Sequence, residues 1–250
     1  MQGLAEQGWE PFSHHADSDI GVLISHGFTS GPGAVMHLAH RFAEAGLNVE
    51  CPLLSGHGTR WQDMIDVKAE DWLRDLAEAG QRLKARSRLV FAVGLSLGGS
   101  LVLRLAQTDP EIRGVVVINH ALVFNNPLIP LAGFLKHLVA SQPAIAGDIK
   151  DPASRELAYD RTPIAGVAQI HRLSRQVRQD WDKLTQPLLV FKSREDHVLP
   201  RRNATLTIQK AASRDKELVW LENSYHVATL DHDKDVIAER CLAFFTRLSK

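Results

Sequence analysis

Cysteine is scarce in this chain of 250 residues, which contains only Cys51 and Cys241. The two lie far apart in sequence and form no CxxC pair, so neither a disulfide framework nor a structural zinc site is expected. The HExxH pattern and similar metal-ligand spacings are missing too, and we expect no metal and no cofactor. Unpaired thiols fit a cytoplasmic protein.

A net charge is also missing, because 29 basic side chains balance 29 acidic ones. No basic block with interleaved aromatic residues is present, so no nucleic-acid partner is expected. The longest apolar runs fall short of the roughly 18–20 residues that a membrane span needs. The N-terminus lacks a basic start followed by an apolar stretch, so we expect a soluble protein without a signal peptide.

Short apolar runs alternate with helical patterns along most of the chain. The runs predict strands at 20–25, 48–53, 88–93, 114–119, 187–192 and 217–222, and the helical patterns fall at 33–45, 69–86, 97–107, 203–212 and 234–248. Continuous apolar strands that alternate with helices predict an α/β fold, with a mostly parallel sheet covered on both faces. Functional groups are expected just after the strands, at their carboxyl ends.

The alternation stops between Asn119 and Pro187. Residues 122–146 are rich in Leu, Ile, Phe and Pro with few charges, whereas residues 148–182 are polar and helical in character. Extra core helices are one interpretation. A cap over the site is favoured, because so much apolar surface needs something to cover. We therefore divide the chain into a core of residues 1–120 and 181–250 and a cap of residues 121–180.

The stretch VGLSLGG at residues 93–99 follows a predicted strand and precedes a predicted helix. A phosphate-binding loop would need a lysine after the glycines, and a dinucleotide-binding turn would need the spacing GxGxxG. The stretch fits neither pattern, but it fits GxSxG, with Ser96 between Gly94 and Gly98. This pattern in this context is typical of a strained turn that exposes a nucleophilic serine. The pentapeptide alone also fits a structural turn.

A serine needs a base and an orienting carboxylate to become a nucleophile. In α/β-hydrolases these follow the serine in the order carboxylate, then histidine. Glu195 and Asp196 both follow the strand at 187–192, and we choose Asp196 because Asp suits a short turn. Glu195 is expected to face solvent.

Three histidines follow the last two predicted strands. His226 lies four residues past the strand at 217–222, where the site is expected, and we choose it as the base. His232 lies among charged residues at a helix start, which favours a solvated position. His197 is too close to Asp196 along the chain and is expected to be structural.

Two backbone N–H groups are expected to stabilise the charge that develops on a substrate oxygen. One belongs to Leu97, directly after the candidate nucleophile at the start of a helix. The other is assigned to Phe28, in the loop SHGFTSGPG after the strand at 20–25. An ordinary Gly/Pro loop is the alternative for the second.

Together these motifs resemble a known family. HGFTS, GHG at 56–58, GLSLGG, SREDHVLP and ENSYHVATLD occur in the order found in the bacterial carboxylesterase and monoacylglycerol lipase group of α/β-hydrolases. The resemblance implies the α/β-hydrolase fold, Ser96, Asp196 and His226 as catalytic triad, and Phe28 and Leu97 as oxyanion hole. It also implies a small cap inserted after the sixth sheet strand. Leu97 departs from the methionine common in the group, but its role is carried by the backbone.

The resemblance also suggests how the cap selects substrate. An apolar cap implies a tunnel for an acyl chain, with Ile145 as a lining residue. The stretch DPASRELAYDRTP resembles the polar part of a monoacylglycerol lipase cap, and Glu156 is a candidate to bind glycerol hydroxyls. A solvent-exposed glutamate on a helix is the alternative.

The predicted function is hydrolysis of carboxylic esters through an acyl-enzyme, with monoacylglycerol as substrate. A general carboxylesterase or thioesterase for short or medium chains is the first alternative. A non-catalytic small-molecule binder is remote, because no triad position is broken. The apolar cap also suggests transient contact with a membrane or lipid surface. The sequence leaves open whether the protein is a monomer or a dimer.

Overall fold

The central feature of the fold is a sheet of seven strands. The computed structural model describes residues 8–144 and 146–250. The sheet contains β1 (Phe12–His14), β2 (Ile20–Ser25), β3 (Asn48–Cys51), β4 (Leu89–Leu95), β5 (Ile112–Ile118), β8 (Leu188–Ser193) and β9 (Lys216–Leu221), in the order β1-β3-β2-β4-β5-β8-β9. All neighbours are parallel except β1, which pairs antiparallel with β3 at the edge. A separate hairpin pairs β6 (Ser141–Pro143) with β7 (Arg161–Pro163).

Seven α-helices lie within residues 8–144 and 146–250, and several of them cover the two faces of the sheet. They are α1 (Met36–Glu44), α2 (Ala69–Lys84), α3 (Leu97–Thr108), α4 (Ala132–Leu135), α5 (Ile164–Gln179), α6 (Arg202–Lys210) and α7 (Lys234–Leu248). None of these seven helices combines the length and the apolar character that crossing a membrane requires.

Two hydrophobic cores lie on opposite faces of the sheet, because successive side chains of a strand point to opposite faces. In β2, Leu23 joins the core that contains Trp72 of α2. Its neighbours Val22 and Ile24 join the other core, with Phe42 of α1 and residues of α7. Strands buried on both faces are continuous apolar runs, which is why the sequence pattern predicted them.

The predicted mostly parallel α/β sheet is confirmed, and the six predicted strands lie within two residues of the observed ones. The expectation of no strand between Asn119 and Pro187 is wrong, because β6 and β7 form a hairpin there. Strand β1 was also missed. Both errors concern strands of three residues, which are too short to show an apolar alternation.

The segment between β5 and β8 has two parts. Helix α5 packs on α3 and α2, and its Leu173 and Val177 are buried in the core that also contains Trp72. The part before α5, with α4 and the hairpin, carries exposed apolar side chains such as Phe134 and Leu138. Within the described residues the segment follows the fifth strand, not a sixth. The division into core and cap at residues 121–180 stays a prediction.

Candidate active site

Ser96 occupies a sharp turn between β4 and α3. Its backbone has φ +54° and ψ −113°, a conformation that side-chain-bearing residues rarely adopt. A Cβ on Gly94 would collide with the backbone of Gly98, and a Cβ on Gly98 would collide with the Ser25 carbonyl oxygen. The two glycines of the GxSxG pattern are therefore required by backbone contacts, and the turn holds Ser96 at the carboxyl end of β4.

The structure brings Ser96, His226 and Asp196 together in one hydrogen-bonded chain. His226 Nε2 lies 2.9 Å from Ser96 Oγ, and His226 Nδ1 lies 3.0 Å from Asp196 Oδ2. The loop after β9 carries His226, and the turn after β8 carries Asp196. Because Asp196 accepts from Nδ1–H, Nε2 is left to accept the Ser96 proton, which is the arrangement that general-base catalysis requires.

Asp196 is held as a carboxylate inside the protein. Its Oδ1 accepts hydrogen bonds from the N–H groups of Val198 and Leu199, at 2.9 and 2.8 Å. Burial alone would raise the pKa of Asp196. The charges and hydrogen bonds of His226 and Lys192 lower it by more than burial raises it, so the pKa lies well below its usual range. The negative charge is therefore present wherever the protein is folded near neutral pH.

The rejected alternatives lie outside this chain of hydrogen bonds. Glu195 is exposed and pairs with Lys150 Nζ at 3.1 Å, and His232 is also exposed. His197 donates from Nδ1 to Asp148 Oδ1 at 2.7 Å rather than bonding to Asp196. The hydrogen bond to Asp148 raises the pKa of His197.

The backbone positions assigned to an oxyanion hole border the same cavity as Ser96. Phe28 lies in the loop after β2, and Leu97 is the first residue of α3, where helix N–H groups lack partners. Among the hydrogen bonds of residues 8–144 and 146–250, neither N–H donates to another protein group. Both donors are thus free for a substrate oxygen, and their role remains a proposal.

A cavity of about 420 Å³ opens above Ser96. Its walls are mainly apolar and come from the segment between β5 and β8, including Phe124, Leu128, Ile129, Leu135, Ile164 and Val167. Ile145, predicted to line an acyl tunnel, lies outside the described residues.

Glu156 also borders this cavity. Its Oε2 accepts a hydrogen bond from Gly147 N at 2.8 Å, and the side chain is partly buried. Burial raises the pKa of Glu156, which hydrogen bonds from Gly147 and Ser30 and the nearby His226 partly offset. It is therefore a polar group in a mainly apolar wall, rather than a solvated glutamate on a helix.

Two polar residues that sequence reasoning missed hold the His226 loop. Fully buried Asn119, at the end of β5, donates to the backbone oxygens of His226 at 2.8 Å and Tyr225 at 3.2 Å. Asp148 Oδ2 accepts from His226 N at 3.1 Å. Asn119 is the last residue of the predicted strand at 114–119 and directly follows the observed β5, and that position is the one signal that could have identified it.

Comparison with known proteins places the chain among hydrolases. A family model described as "Serine aminopeptidase, S33" (Hydrolase_4) matches residues 16–233. The chain belongs to this family. The chain is also similar to a thermostable monoacylglycerol lipase of Bacillus sp. (strain H-257), with 42% identity over 96% of this chain and 95% of that protein. A carboxylesterase of Bacillus subtilis (strain 168) is 27% identical over 96% of this chain and 97% of that protein.

A solved structure agrees with these relatives. The structure is described with the words "LipS and LipT, two metagenome-derived lipolytic enzymes". It has a TM-score of 0.93 and 41% identity, and covers 96% of this chain and 98% of that chain. The α/β-hydrolase fold, the hydrolase class and the resemblance to the carboxylesterase and monoacylglycerol lipase group are thereby confirmed. This member of the Hydrolase_4 family is an enzyme.

Proposed function

We propose that the enzyme hydrolyses carboxylic esters of lipids through an acyl-enzyme on Ser96, with monoacylglycerol as substrate. The observation that carries this proposal is the hydrogen-bonded chain from Ser96 through His226 to Asp196 at the base of a mainly apolar cavity. A buried carboxylate, an imidazole that it orients and a strained serine are the groups that acyl transfer needs.

In the first step Ser96 Oγ attacks the ester carbonyl carbon, and His226 Nε2 takes the hydroxyl proton. Asp196 stabilises the imidazolium that forms, and the N–H groups of Phe28 and Leu97 stabilise the oxyanion. Each such donor contributes about 3 kcal/mol to transition-state stabilisation in comparable sites. His226 then gives its proton to the leaving alcohol oxygen as the C–O bond breaks.

In the second step a water molecule attacks the acyl carbon of the Ser96 ester. His226 takes a proton from this water and returns it to Ser96 Oγ as the fatty acid leaves. The mainly apolar wall lowers the polarity around this centre, which strengthens the electrostatic stabilisation of the oxyanion. No other protein group has to titrate during the cycle.

Three observations support monoacylglycerol as substrate. The relative that is 42% identical is named a monoacylglycerol lipase. The mainly apolar wall provides contacts for an acyl chain. Glu156 places a carboxylate that can accept hydrogen bonds from glycerol hydroxyls in the same cavity as Ser96.

A substrate series tests this assignment. Hydrolysis of monoacylglycerols, diacylglycerols, triacylglycerols and p-nitrophenyl esters is compared at several chain lengths, with Ser96→Ala as the inactive control. We expect the highest kcat/KM with medium-chain or long-chain monoacylglycerols. Glu156→Gln should raise KM for monoacylglycerols by about tenfold and leave p-nitrophenyl esters unchanged, because only the former have hydroxyls to bind.

A general carboxylesterase or thioesterase is the second candidate function. The Bacillus subtilis relative, which is named a carboxylesterase, favours it. In the same series, a preference for p-nitrophenyl acetate or butyrate over every monoacylglycerol would support the esterase. Faster hydrolysis of acyl thioesters than of oxygen esters would support the thioesterase.

We also propose that the segment before α5 makes transient contact with a lipid surface. Five large apolar side chains are exposed there within twelve residues: Leu128, Leu131, Phe134, Leu138 and Val139. Clusters of this kind mark interaction sites. If a second copy of the chain covered this surface instead, sedimentation would show a dimer.

A cytoplasmic location stays a prediction that cell fractionation tests.

A further inference from the structure

Lys192 is a buried cation that the proposed mechanism does not use. It is the fifth residue of β8, and its side chain is fully buried. Its Nζ donates to Asp196 Oδ2 and, at 3.0 Å, to the backbone oxygen of Leu199. A lysine is almost never fully buried unless it is paired, so this partner explains how it is accommodated.

The ammonium and the candidate base bind the same carboxylate oxygen. Asp196 Oδ2 accepts from Lys192 Nζ and from His226 Nδ1, whereas Oδ1 accepts from the two backbone N–H groups described above. The carboxylate thus has two partners on each oxygen, which uses its full acceptor capacity. Lys192 is therefore an immediate neighbour of the bond that orients His226.

We propose that Lys192 is a positioning residue of the active site, whose ammonium shares the Asp196 carboxylate with His226 and sets the lower pH limit of hydrolysis. This inference rests on the proposed function of the three residues. The positive charge of Lys192 offsets the negative charge that Asp196 presents to the imidazole. The protonated, inactive form of His226 is thereby less stabilised, and the enzyme stays active to lower pH.

Other titratable groups surround these three residues. Asp148 and Arg201 act on Lys192, and Lys192 in turn lowers the pKa of His120. Glu156 faces His226, and His197 is close to Asp196. A substitution at Lys192 leaves all five residues in place, and of the five His120 is the one whose pKa Lys192 itself lowers.

Burial has an opposing effect on the ammonium itself. Burial lowers the pKa of Lys192, and the charge and hydrogen bond of Asp196 offset part of this effect. Because these two effects oppose each other, the charge of Nζ is measured directly on the wild-type protein, as described below.

Two substitutions test the proposal through the pH dependence of kcat/KM on a soluble p-nitrophenyl ester. Lys192→Met removes the charge and keeps an unbranched side chain, while Lys192→Gln removes the charge and keeps a hydrogen-bond donor. In both variants we expect the acid limb to move to higher pH by about one unit, the size of shift that a neighbouring full charge causes. Activity on the plateau should stay within about tenfold of wild type.

Arg86→Met is the matched control, because Arg86 also pairs with a buried carboxylate, Glu50, at 2.7 Å. Arg86 lies in the loop between α2 and β4, before the amino end of that strand and away from Ser96. It should lower the melting temperature and leave the acid limb in place. An acid limb that stays in place in Lys192→Met would overturn the proposal. So would an acid limb that moves in Lys192→Met only, because that result assigns the effect to the hydrogen bond rather than the charge.

A measurement on the wild-type protein covers the case in which neither variant folds. The ¹⁵N resonance of Lys192 Nζ distinguishes ammonium from amine, and we expect ammonium throughout the pH range of activity. A neutral amine in that range would overturn the inference. Failure of the proposed function gives a different result. In that case the wild type and Ser96→Ala would hydrolyse every ester in the series equally.

Discussion

Asn119 fixes the backbone of His226, the candidate base, through a hydrogen bond. Its side-chain amide donates to the backbone oxygen of His226 at 2.8 Å, and its carbonyl oxygen accepts from Ser193 N at 2.9 Å. One buried side chain thus ties the end of β5 to the end of β8 and to the His226 loop. Its backbone φ is +44°, a left-handed conformation that asparagine tolerates better than most residues.

Replacing Asn119 with Ala should reduce both stability and activity. The change leaves buried backbone groups of Ser193 and His226 without partners, which costs about 2 kcal/mol of unfolding free energy. We expect kcat to fall at least tenfold, because the loop that positions the imidazole loses its anchor. Urea unfolding and steady-state kinetics measure the two effects.

Two control variants separate the causes. Asn119→Gly removes the amide but accepts the positive φ, so equal kcat losses in both variants assign the effect to the amide. Asn48→Ala removes another buried amide, which donates to Ser18 O and Ser87 Oγ at the amino end of β3, opposite the end that carries the site. It should lose stability and keep kcat. Unchanged kcat in both Asn119 variants would contradict the anchoring role.

Replacing Gly98 with Ala should abolish activity and destabilise the fold. A Cβ there would lie 2.6 Å from His26 O and closer still to Ser25 O, so the backbone would have to move. We expect a loss of about 3 kcal/mol or more in unfolding free energy, measured by urea unfolding.

Gly80→Ala is the matched control for Gly98→Ala. Gly80 lies inside α2, and its Cβ would make an ordinary contact at 3.5 Å with Leu23. The substitution should stabilise the protein by about 0.5–1 kcal/mol through helix propensity. A Gly98→Ala variant as stable as Gly80→Ala would show that the turn can relax.

Three buried histidines should make the protein less stable in mild acid. Burial lowers the pKa of His26 to about 3, of His57 to about 4 and of His120 to about 3, from an ordinary value of 6.5. A proton on His57 would lower the pKa of His26 further, and the positive charge of Lys192 adds to the effect on His120. The folded state therefore keeps all three neutral.

The sign of the pH effect follows from proton binding. Below pH 6.5 the unfolded chain binds protons that the folded protein excludes, so the unfolding free energy falls as pH falls towards about 4. Each histidine contributes up to about 1.4 kcal/mol per pH unit. Urea unfolding at pH 7.5, 6.5, 5.5 and 4.5 measures this slope, and His57→Gln should reduce it. An unfolding free energy that is constant from pH 6.5 to 4.5 would contradict the burial of these neutral rings.

Charges on the exposed apolar surface should separate activity on lipid from activity on soluble ester. The Phe134→Glu/Leu138→Glu double variant places two carboxylates on side chains that are 67% and 69% exposed. Hydrolysis of monoacylglycerol in vesicles should fall about tenfold, because charged groups disfavour insertion into the lipid interface. Hydrolysis of p-nitrophenyl butyrate in solution should not change.

Val236→Glu is the matched control for the lipid-surface experiment, since Val236 is 45% exposed on α7, outside the segment. It should leave vesicle activity unchanged. Equal losses on both substrates in the Phe134 and Leu138 variant would indicate a damaged substrate cavity instead of a lost lipid contact.

Much of the fold could be predicted from sequence because the strands are buried on both faces. Continuous apolar runs such as 20–25 are the direct result of that burial. Short strands without an apolar run, β1 and the β6–β7 hairpin, gave no such pattern. Helix α5 joins the core through a stripe that includes Leu173 and Val177, which a polar composition concealed.

The structure brings the three candidate triad residues together, and the polar residues that were missed from sequence act through other groups. Ser96, Asp196 and His226 each follow a strand at the carboxyl end, so topology brings them together. Asn119 and Asp148 act through hydrogen bonds to backbone that no sequence pattern records. Lys192 ends an apolar run, where a charged residue is expected to reach solvent, and only the structure shows its burial against Asp196.

The central claim is that Ser96 is the nucleophile of an acyl-transfer reaction. A fluorophosphonate ester reacts with an activated serine as its Oγ attacks phosphorus and fluoride leaves, and the adduct is seen in the intact-protein mass. The account predicts one phosphonyl group on wild type, mapped to Ser96 by peptide mass spectrometry, and none on folded Ser96→Ala. An adduct that persists on Ser96→Ala, or a folded wild-type enzyme that stays unlabelled, would contradict it.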